Sequence, residues 1–216
     1  MRVLELFSGT GSVGKVCKER GYEVISLDLK GADINMSILD WKYKTYPPGY
    51  FDIIWASPPC HTFSLLRDSW IGRKIKSHGG EVCSKELIQK DIQEKGLPIV
   101  RKAEEIIDYF KPSFYFIENP QTGRMKEYID KPYYDVDYCK YADWGYRKRT
   151  RIWTNVENFE PKMCKKDCNS MSNGRHTFNI GFSSKNKNDK GSLTLQEKYR
   201  VPPKLINELF DTFDKD

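Results

Sequence analysis

No stretch of this 216-residue sequence approaches the roughly 20 consecutive apolar residues that span a bilayer, so no membrane-crossing helix is expected. A strand pattern, Val3-Leu4-Glu5-Leu6-Phe7, starts almost at Met1 and leaves no room for a secretory leader. The cytoplasm or nucleus is therefore the expected location. In that reducing setting, six cysteines read as thiols or metal ligands rather than as a disulfide framework. A strong charge imbalance is also missing. With 36 Lys+Arg against 30 Asp+Glu the net charge is +6, which permits a polyanionic partner without demanding one. Internal repeats are absent, and 38% hydrophobic with 13% aromatic residues excludes a disordered chain. The length suits one domain with at most a small appendage.

What is present is an alternation of strands and helices. Strand-like runs recur at Val3 to Phe7, Tyr22 to Leu27, Phe51 to Ala56 and Ser113 to Ile117, with helical patterns between some of them. That order predicts an α/β fold with a mostly parallel sheet and helices on both faces. The clearest helix is LPIVRKAEEIIDYFK, Leu97 to Lys111, whose apolar positions keep the helical period and which stops before Pro112. Two later runs, Tyr133 to Tyr138 and Arg149 to Thr154, read as an antiparallel hairpin at a sheet edge, and Pro203 to Phe213 as an amphipathic helix. Residues 61–96 and 156–192 read as irregular. The first of these is polar and basic, with Arg67, Arg73, Lys74, Lys76 and a Gly79-Gly80 hinge, which suits a lid. The expected division is a core over 1–155, a short insert over 156–192, and a C-terminal helix within 193–216 that packs back on the core.

Three constellations carry chemistry. The first strand runs into LELFSGTGSVG, where Gly9 and Gly11 bare backbone amides before a helix that starts near Ser12. About 20 residues on, Asp28 ends the second strand, placed to grip the hydroxyls of a ribose. Together they favour a nucleoside-bearing cofactor, and because Gly14 completes G-x-G-x-x-G the loop alone leaves NAD open. In the second, FDIIWASPPCHTFS, two prolines end a buried strand and Cys60 follows. Read alone, a free cysteine is a core residue. FYFIENP, however, brings Glu118, Asn119 and Pro120 to the end of the next strand, and in a doubly wound sheet these ends share one edge. The third is GYRKRTRIW, in which Arg147, Arg149 and Arg151 alternate and so face one way on a strand, a row suited to phosphate.

FSGTGS, the SPPC block, ENP and R-x-R-x-R followed by Ile-Trp resemble, in order, the motifs of the DNA (cytosine-5)-methyltransferases. The resemblance covers about residues 3 to 154. It implies a Rossmann-like methyltransferase fold, S-adenosyl-L-methionine as methyl donor, and a DNA cytosine flipped out of the duplex. Cys60 is implied as nucleophile, with Glu118, Arg149 and Arg151 completing the catalytic set. Phe7, Ser8, Gly9, Thr10, Gly11, Ser12, Asp28, Leu29, Ser37, Ile38, Asp40, Ser57 and Pro58 are implied around the cofactor. Ser64, Arg67, Asn119 and Arg147 are implied toward DNA. The amino-group methyltransferases are a rival reading, but their Ser-Pro-Pro is followed by an aromatic residue where this chain has Cys60. A non-catalytic nucleic-acid-binding module is the other, and it has no need of an intact Cys60, Glu118 and arginine pair.

Departures from the family pattern are specific. Ser37-Ile38 stands where relatives carry Asp-Ile, Arg147 replaces a Gln, and LQEKYRVPPKLINELF replaces a Gly-Asn-Ser-Val signature. The target-recognition region shrinks to 156–192, which points to short specificity or to a protein partner that supplies it. Within that insert Cys164-Lys-Lys-Asp-Cys168 and His176 have spacings that suggest zinc, with Cys139 as the fourth ligand.

Overall fold

The structure, a computed structural model, describes residues 1–178, 180 and 193–213. In chain order the first half contains β1 (Arg2–Leu6), α1 (Ser12–Glu19), β2 (Glu23–Asp28), β3 (Ile34–Asn35), β4 (Ile53–Ala56), β5 (Lys74–Ile75), β6 (Glu81–Val82) and α2 (Lys85–Asp91). The second contains α3 (Leu97–Phe110), β7 (Phe114–Pro120), β8 (Tyr133–Asp137), β9 (Arg149–Thr154), β10 (Met171–Ser172), β11 (Arg175–His176), α4 (Leu195–Tyr199) and α5 (Pro203–Phe210). Seven strands form one sheet in the order β3-β2-β1-β4-β7-β9-β8. The first five run parallel, while β9 is antiparallel to both of its neighbours.

Burial on both faces explains why the central strands are apolar runs instead of alternating ones. All four residues of β4 are buried. On one face Leu4, Leu6, Ile54, Ala56, Ile117 and Trp153 pack with Val100, Ala103, Ile106, Ile107 and Phe110 of α3. On the other, Val3, Ile53, Trp55, Phe116 and Ile152 pack with Val13, Val16 and Cys17 of α1 and Leu205, Ile206, Leu209 and Phe210 of α5. Arg20, just past α1, donates to Asn207 Oδ1 at 2.7 Å and Asp211 Oδ1 at 2.8 Å, joining the two helices at their rim.

Residues 61–96 are not irregular. β5 and β6 form a small antiparallel hairpin, and Gly79-Gly80 is its left-handed tip, with φ of 63° and 88°. Beyond it Ser84 Oγ accepts from Leu87 N at 3.1 Å and starts α2. A single π turn, Ile92–Gly96, then carries α2 into α3 without a break. The cause lies in tertiary contacts that local polarity does not reveal. Asp91 is buried, and it accepts from Arg67, from His78 Nε2 at 2.9 Å and from Lys95 Nζ at 2.6 Å, so three hydrogen-bond donors hold its carboxyl well below the ordinary range against the effect of burial. Gly96 lets the segment after Cys60 lie against the helix, because a Cβ there would sit 2.5 Å from Thr62 Oγ1 and 2.9 Å from the Phe63 ring. Within 156–192, Asn179 and 181–192 lie outside the described residues, and the rest includes the β10–β11 hairpin. Among the described residues no helix is long and apolar enough to cross a membrane.

Glu5 ties β1 to α1. Its Oε1 accepts from Val13 N at 3.2 Å and its Oε2 from Gly14 N at 3.0 Å, two helix-start amides that Gly11 offers no side chain to cap. A Cβ on Gly14 would lie 2.6 Å from Oε2, so glycine is what permits this approach. Burial raises the Glu5 pKa from 4.5 to about 7, against the pull of the two amides and Lys18. A pKa raised in the folded state means a contribution to stability that is complete below about pH 4.5 and lost as pH rises to about 7. Denaturant titrations should therefore show wild type losing stability relative to Glu5→Gln over that window, by on the order of 3 kcal/mol. Parallel pH profiles for the two proteins would refute the assignment.

Candidate active site

The strand order reverses between β1 and β4, the place where doubly wound sheets bind ligands beyond their carboxyl ends. β1 delivers the glycine loop there. Phe7, with φ 61°, turns the chain out of the strand, and its amide and that of Ser8 donate to Leu27 O at 2.7 and 3.2 Å. A left-handed φ at a non-glycine residue stores strain and marks functional loops. Gly9 N donates to Asp28 Oδ2 at 2.8 Å and Leu29 N to Asp28 Oδ1 at 2.6 Å, so the acid that ends β2 meets the glycine loop directly. Thr10 Oγ1 and Ser12 Oγ are hydrogen-bonded at 2.7 Å. After β3, Ser37 and Asp40 lie on an exposed turn, closed by Asp40 N donating to Ser37 O at 3.0 Å. Ile38, between them in sequence, is buried. It belongs to the core, 3% exposed among other apolar side chains.

β4 delivers Ser57-Pro58-Pro59-Cys60 beside that loop, with Ser57 N donating to Leu6 O at 3.2 Å. Asn119, expected toward DNA, is instead buried and donates from Nδ2 to Pro58 O at 2.8 Å, holding the Cys60 segment in place. Ser64 ends the next turn with Oγ accepting from Leu66 N at 3.3 Å. Arg67, the other residue expected toward DNA in this segment, is buried against Asp91, which removes its guanidinium from the surface. Arg147 is exposed.

β7 brings up Glu118, buried at 5% exposure. Tyr138 donates its hydroxyl to Glu118 Oε1 at 2.9 Å, and Lys148 Nζ lies 3.3 Å from the same oxygen. Burial, then Glu118, drives the Tyr138 pKa well up, so its hydroxyl is a donor at every working pH. Burial also raises the Cys60 thiol above its ordinary value. Lys148 opposes that rise, and Glu118 adds to it. Thiol, carboxyl and ammonium thus form one electrostatic unit.

The arginine row does not join it. Asn119 pairs with Arg151 and Glu118 with Ile152, and directly paired residues share a face, so Arg151 and Arg149 lie on the face opposite Glu118. There they meet carboxylates of β8. Arg151 donates from Nε and Nη2 to Asp135, both at 2.8 Å, and Arg149 from Nε and Nη2 to Asp137 at 3.0 and 2.8 Å. The cation on the Glu118 face is Lys148, which sequence reading passed over. Its signal was present: within an alternating row, the residues between the arginines face the other way.

The C-terminal segment supplies contacts that local patterns missed. α4 opens with a capping box between Thr194 and Glu197, and Tyr146 donates its hydroxyl to Glu197 O at 2.7 Å. Arg200 stacks on the Trp144 ring at 3.8 Å, and Val201 N donates to Ser12 Oγ at 3.3 Å, so this strap reaches the glycine loop. Tyr199, at the end of α4, has its pKa raised by burial and then by Cys60. Farther out, single ligand atoms of Cys139, Cys164, Cys168 and His176 lie within 4.8 Å of one another.

A doubly wound sheet with a glycine loop and a strand-end acid at its switch point, and a thiol and a carboxyl on the neighbouring strands, defines a Rossmann-like methyltransferase. The solved Entamoeba histolytica methyltransferase EhMeth shares this fold with TM-score 0.51 at 16% identity, covering 76% of this chain and 55% of that one, so this chain spans about half its length. No family model matches. A Frog virus 3 (isolate Goorha) protein named "Probable DNA (cytosine-5)-methyltransferase" is 48% identical over 220 residues, which are 98% of this chain and 99% of that protein. The chain belongs to the DNA (cytosine-5)-methyltransferase family.

Lys148→Met tests the electrostatic unit. Removing the ammonium should raise the Cys60 pKa further and slow its alkylation by iodoacetamide at pH 8, read by mass spectrometry of the Cys60 peptide. It should also destabilise the fold by about 3 kcal/mol, because the carboxyl of Glu118 loses its buried counter-charge. Alkylation at the wild-type rate would separate Lys148 from the thiol.

Proposed function

We propose that this protein transfers a methyl group from S-adenosyl-L-methionine to carbon 5 of cytosine in DNA, through a covalent bond between Cys60 and carbon 6. The observation that carries this reading is the unit of Cys60, Glu118, Lys148 and Tyr138 beside the glycine loop, in a chain similar throughout to the Frog virus 3 protein. That protein's name supplies the substrate class. Carbon 5 of cytosine is a weak nucleophile until something adds to carbon 6, and a thiolate is the side chain best able to add and later leave. Lys148 opposes, in part, the burial that disfavours that thiolate. As Cys60 Sγ bonds carbon 6, the electron pair of the 5,6 double bond moves onto the ring. Glu118, steadied by Tyr138 and Lys148, hydrogen-bonds ring N3 and the 4-amino group and stabilises that charge. Carbon 5, now electron-rich, would bond the donor's methyl group as the sulfur–methyl bond breaks with its pair left on the donor's sulfur. The proton on carbon 5 then leaves to solvent, its bonding pair re-forms the 5,6 double bond, and the sulfur–carbon bond breaks to release Cys60 as the thiolate.

Bound at the glycine loop, S-adenosyl-L-methionine supplies an electrophilic methyl group. The site fits it: Asp28 is half-exposed beside the loop amides, and Val201 closes the loop from the C-terminal side. We assign Phe7 to Ser12, Asp28, Leu29, Ser37, Asp40, Ser57 and Pro58 to its surroundings, with the strap around Arg200 and Val201 as the wall that the family's missing signature would form. In the arginine row, Arg147 is exposed and Arg149 partly so, and these two reach for the phosphates of the flipped nucleotide. Arg151, lodged between Asp135 and the face of Tyr133 at 3.5 Å, braces the hairpin. Residues 1–155 serve as the catalytic core, 156–192 as a reduced target-recognition region that relies on a protein partner for further specificity, and 193–216 as the closing segment. The cofactor set includes one zinc ion at the Cys139, Cys164, Cys168 and His176 cluster.

Fluorine at carbon 5 removes the proton whose loss permits release. A duplex carrying 5-fluorocytosine at a substrate site, incubated with S-adenosyl-L-methionine, should give a complex that survives denaturing electrophoresis, and Cys60→Ser should give none. Methylation of ordinary DNA without any trapped complex would overturn the covalent step.

For the cofactor, Asp28→Ala should weaken S-adenosyl-L-methionine binding by about 1.5–3 kcal/mol in calorimetry, the usual cost of losing a hydrogen bond to a charged group. Unchanged affinity in a folded variant would remove Asp28 from the site.

A further inference from the structure

The Cys/His cluster is built from three separate segments. Cys139 lies in the turn after β8, Cys164 and Cys168 in the loop ahead of β10, and His176 at the end of β11. His176 Nε2 stands 3.6 Å from Cys164 Sγ and 3.4 Å from Cys168 Sγ. None of the cysteines is in a disulfide, and Cys139 and Cys164 are buried. A tetrahedral zinc ion with Zn–S bonds of about 2.3 Å keeps its ligands about 3.8 Å apart, so a set whose atoms lie within 4.8 Å closes on the ion with small movements. With four protein ligands such a site has no open position for catalysis and acts through what it holds together.

What it holds together leads to the reacting centre. Tyr138 is the residue before Cys139, and its hydroxyl donates to Glu118 Oε1 at 2.9 Å while its amide donates to Lys148 O at 3.1 Å. Asp137, one residue earlier, accepts from Cys164 N at 2.8 Å and from Arg149 Nη2 at 2.8 Å. One end of each link is therefore a metal ligand or its neighbour, and the other end is Glu118, Lys148 or the arginine row. By contrast, the loop bearing Cys164, Cys168 and His176 contributes only two strands of two residues each. Little regular structure fixes it in place.

We propose that zinc in this cluster is a positioning centre for the catalytic carboxyl. By fastening the Tyr138–Lys140 turn to the loop of Cys164 to His176, it keeps the Tyr138 hydroxyl on Glu118 and the Asp137 carboxylate on Arg149. This rests on the methyl-transfer reading above and extends it from the reacting groups to the device that aligns them.

The test uses the full chain, purified without chelator. Elemental analysis should find one zinc per chain. The rate of covalent trapping on the 5-fluorocytosine duplex is then measured at saturating DNA, together with DNA affinity. Cys168→Ala should lose the zinc and, at saturating DNA, trap on the order of tenfold more slowly. Cys168→His, which keeps a zinc ligand, should restore both metal and rate. Tyr138→Phe should keep the zinc yet slow trapping as Cys168→Ala does, and it decides the matter alone if Cys168→Ala does not fold. Wild-type protein without zinc overturns the metal. Zinc present with Tyr138→Phe or a zinc-free variant trapping at the wild-type rate overturns the coupling and leaves methyl transfer standing. Zinc present with no trapping by wild type overturns the methyl-transfer reading, and the positioning role with it.

Discussion

Parallel pairing of β4 with β7, Ile53 to Ala56 against Phe114 to Ile117, is the constraint on which the site depends. It sets Ile117 opposite Ala56, so Glu118 lies one residue past the last paired position, level with the start of the Cys60 segment. On its other edge β4 pairs with β1, and Ser57 is hydrogen-bonded to Leu6. Thiol loop, carboxyl and glycine loop therefore share one sheet edge. A slip of a single residue in β7 would send Glu118 to the opposite face, where Arg149 and Arg151 lie. Continuous apolar burial on both sides of β4 resists that slip.

Three buried carboxylates show three ways of keeping charge inside a protein, and each serves a different link between fold and function. Glu5 has two helix-start amides and the more distant pull of Lys18, and burial raises its pKa to about 7. Its work is to set α1 against the strand that carries the glycine loop. Asp91 has Arg67, His78 and Lys95 around it and stays ionised. It makes an ordered unit of the segment between the thiol and α3. Glu118 has one cation and one phenol. It sits at the carboxyl end of β7, level with the start of the Cys60 segment.

The β8–β9 hairpin couples these features to the edge of the molecule. Its two arginine–aspartate pairs are bidentate forks directly across the strands, Arg151 with Asp135 and Arg149 with Asp137, and such forks add geometric definition to their attraction. Asp137 also accepts from Cys164 N. The same hairpin thus presents Lys148 and Tyr138 on one face, arginines on the other, and the Cys/His cluster at its end. Movement of the hairpin would be felt at all three.

By itself the sequence determined the elements and the family. Uninterrupted apolar runs marked the buried strands, a 3.6-residue period marked α3, and Gly9-x-Gly11, Asp28, Ser-Pro-Pro-Cys60 and Glu118-Asn119-Pro120 stood at strand ends where local chain direction brings them to one edge. These features are legible because they follow from short-range geometry. Polar composition misread residues 61–96, since contacts such as that of Asp91 with Arg67, 24 positions apart, help make the segment regular. Alternation alone showed that the arginines share a face, but not which face. The antiparallel register between β7 and β9 decided it, put Lys148 beside Glu118, and turned Arg149 and Arg151 toward β8. Likewise the approach of Val201 to Ser12 spans 189 positions. Register and long-range approach depend on which surfaces bury each other, and that is a property of the packed molecule, not of any window along its chain.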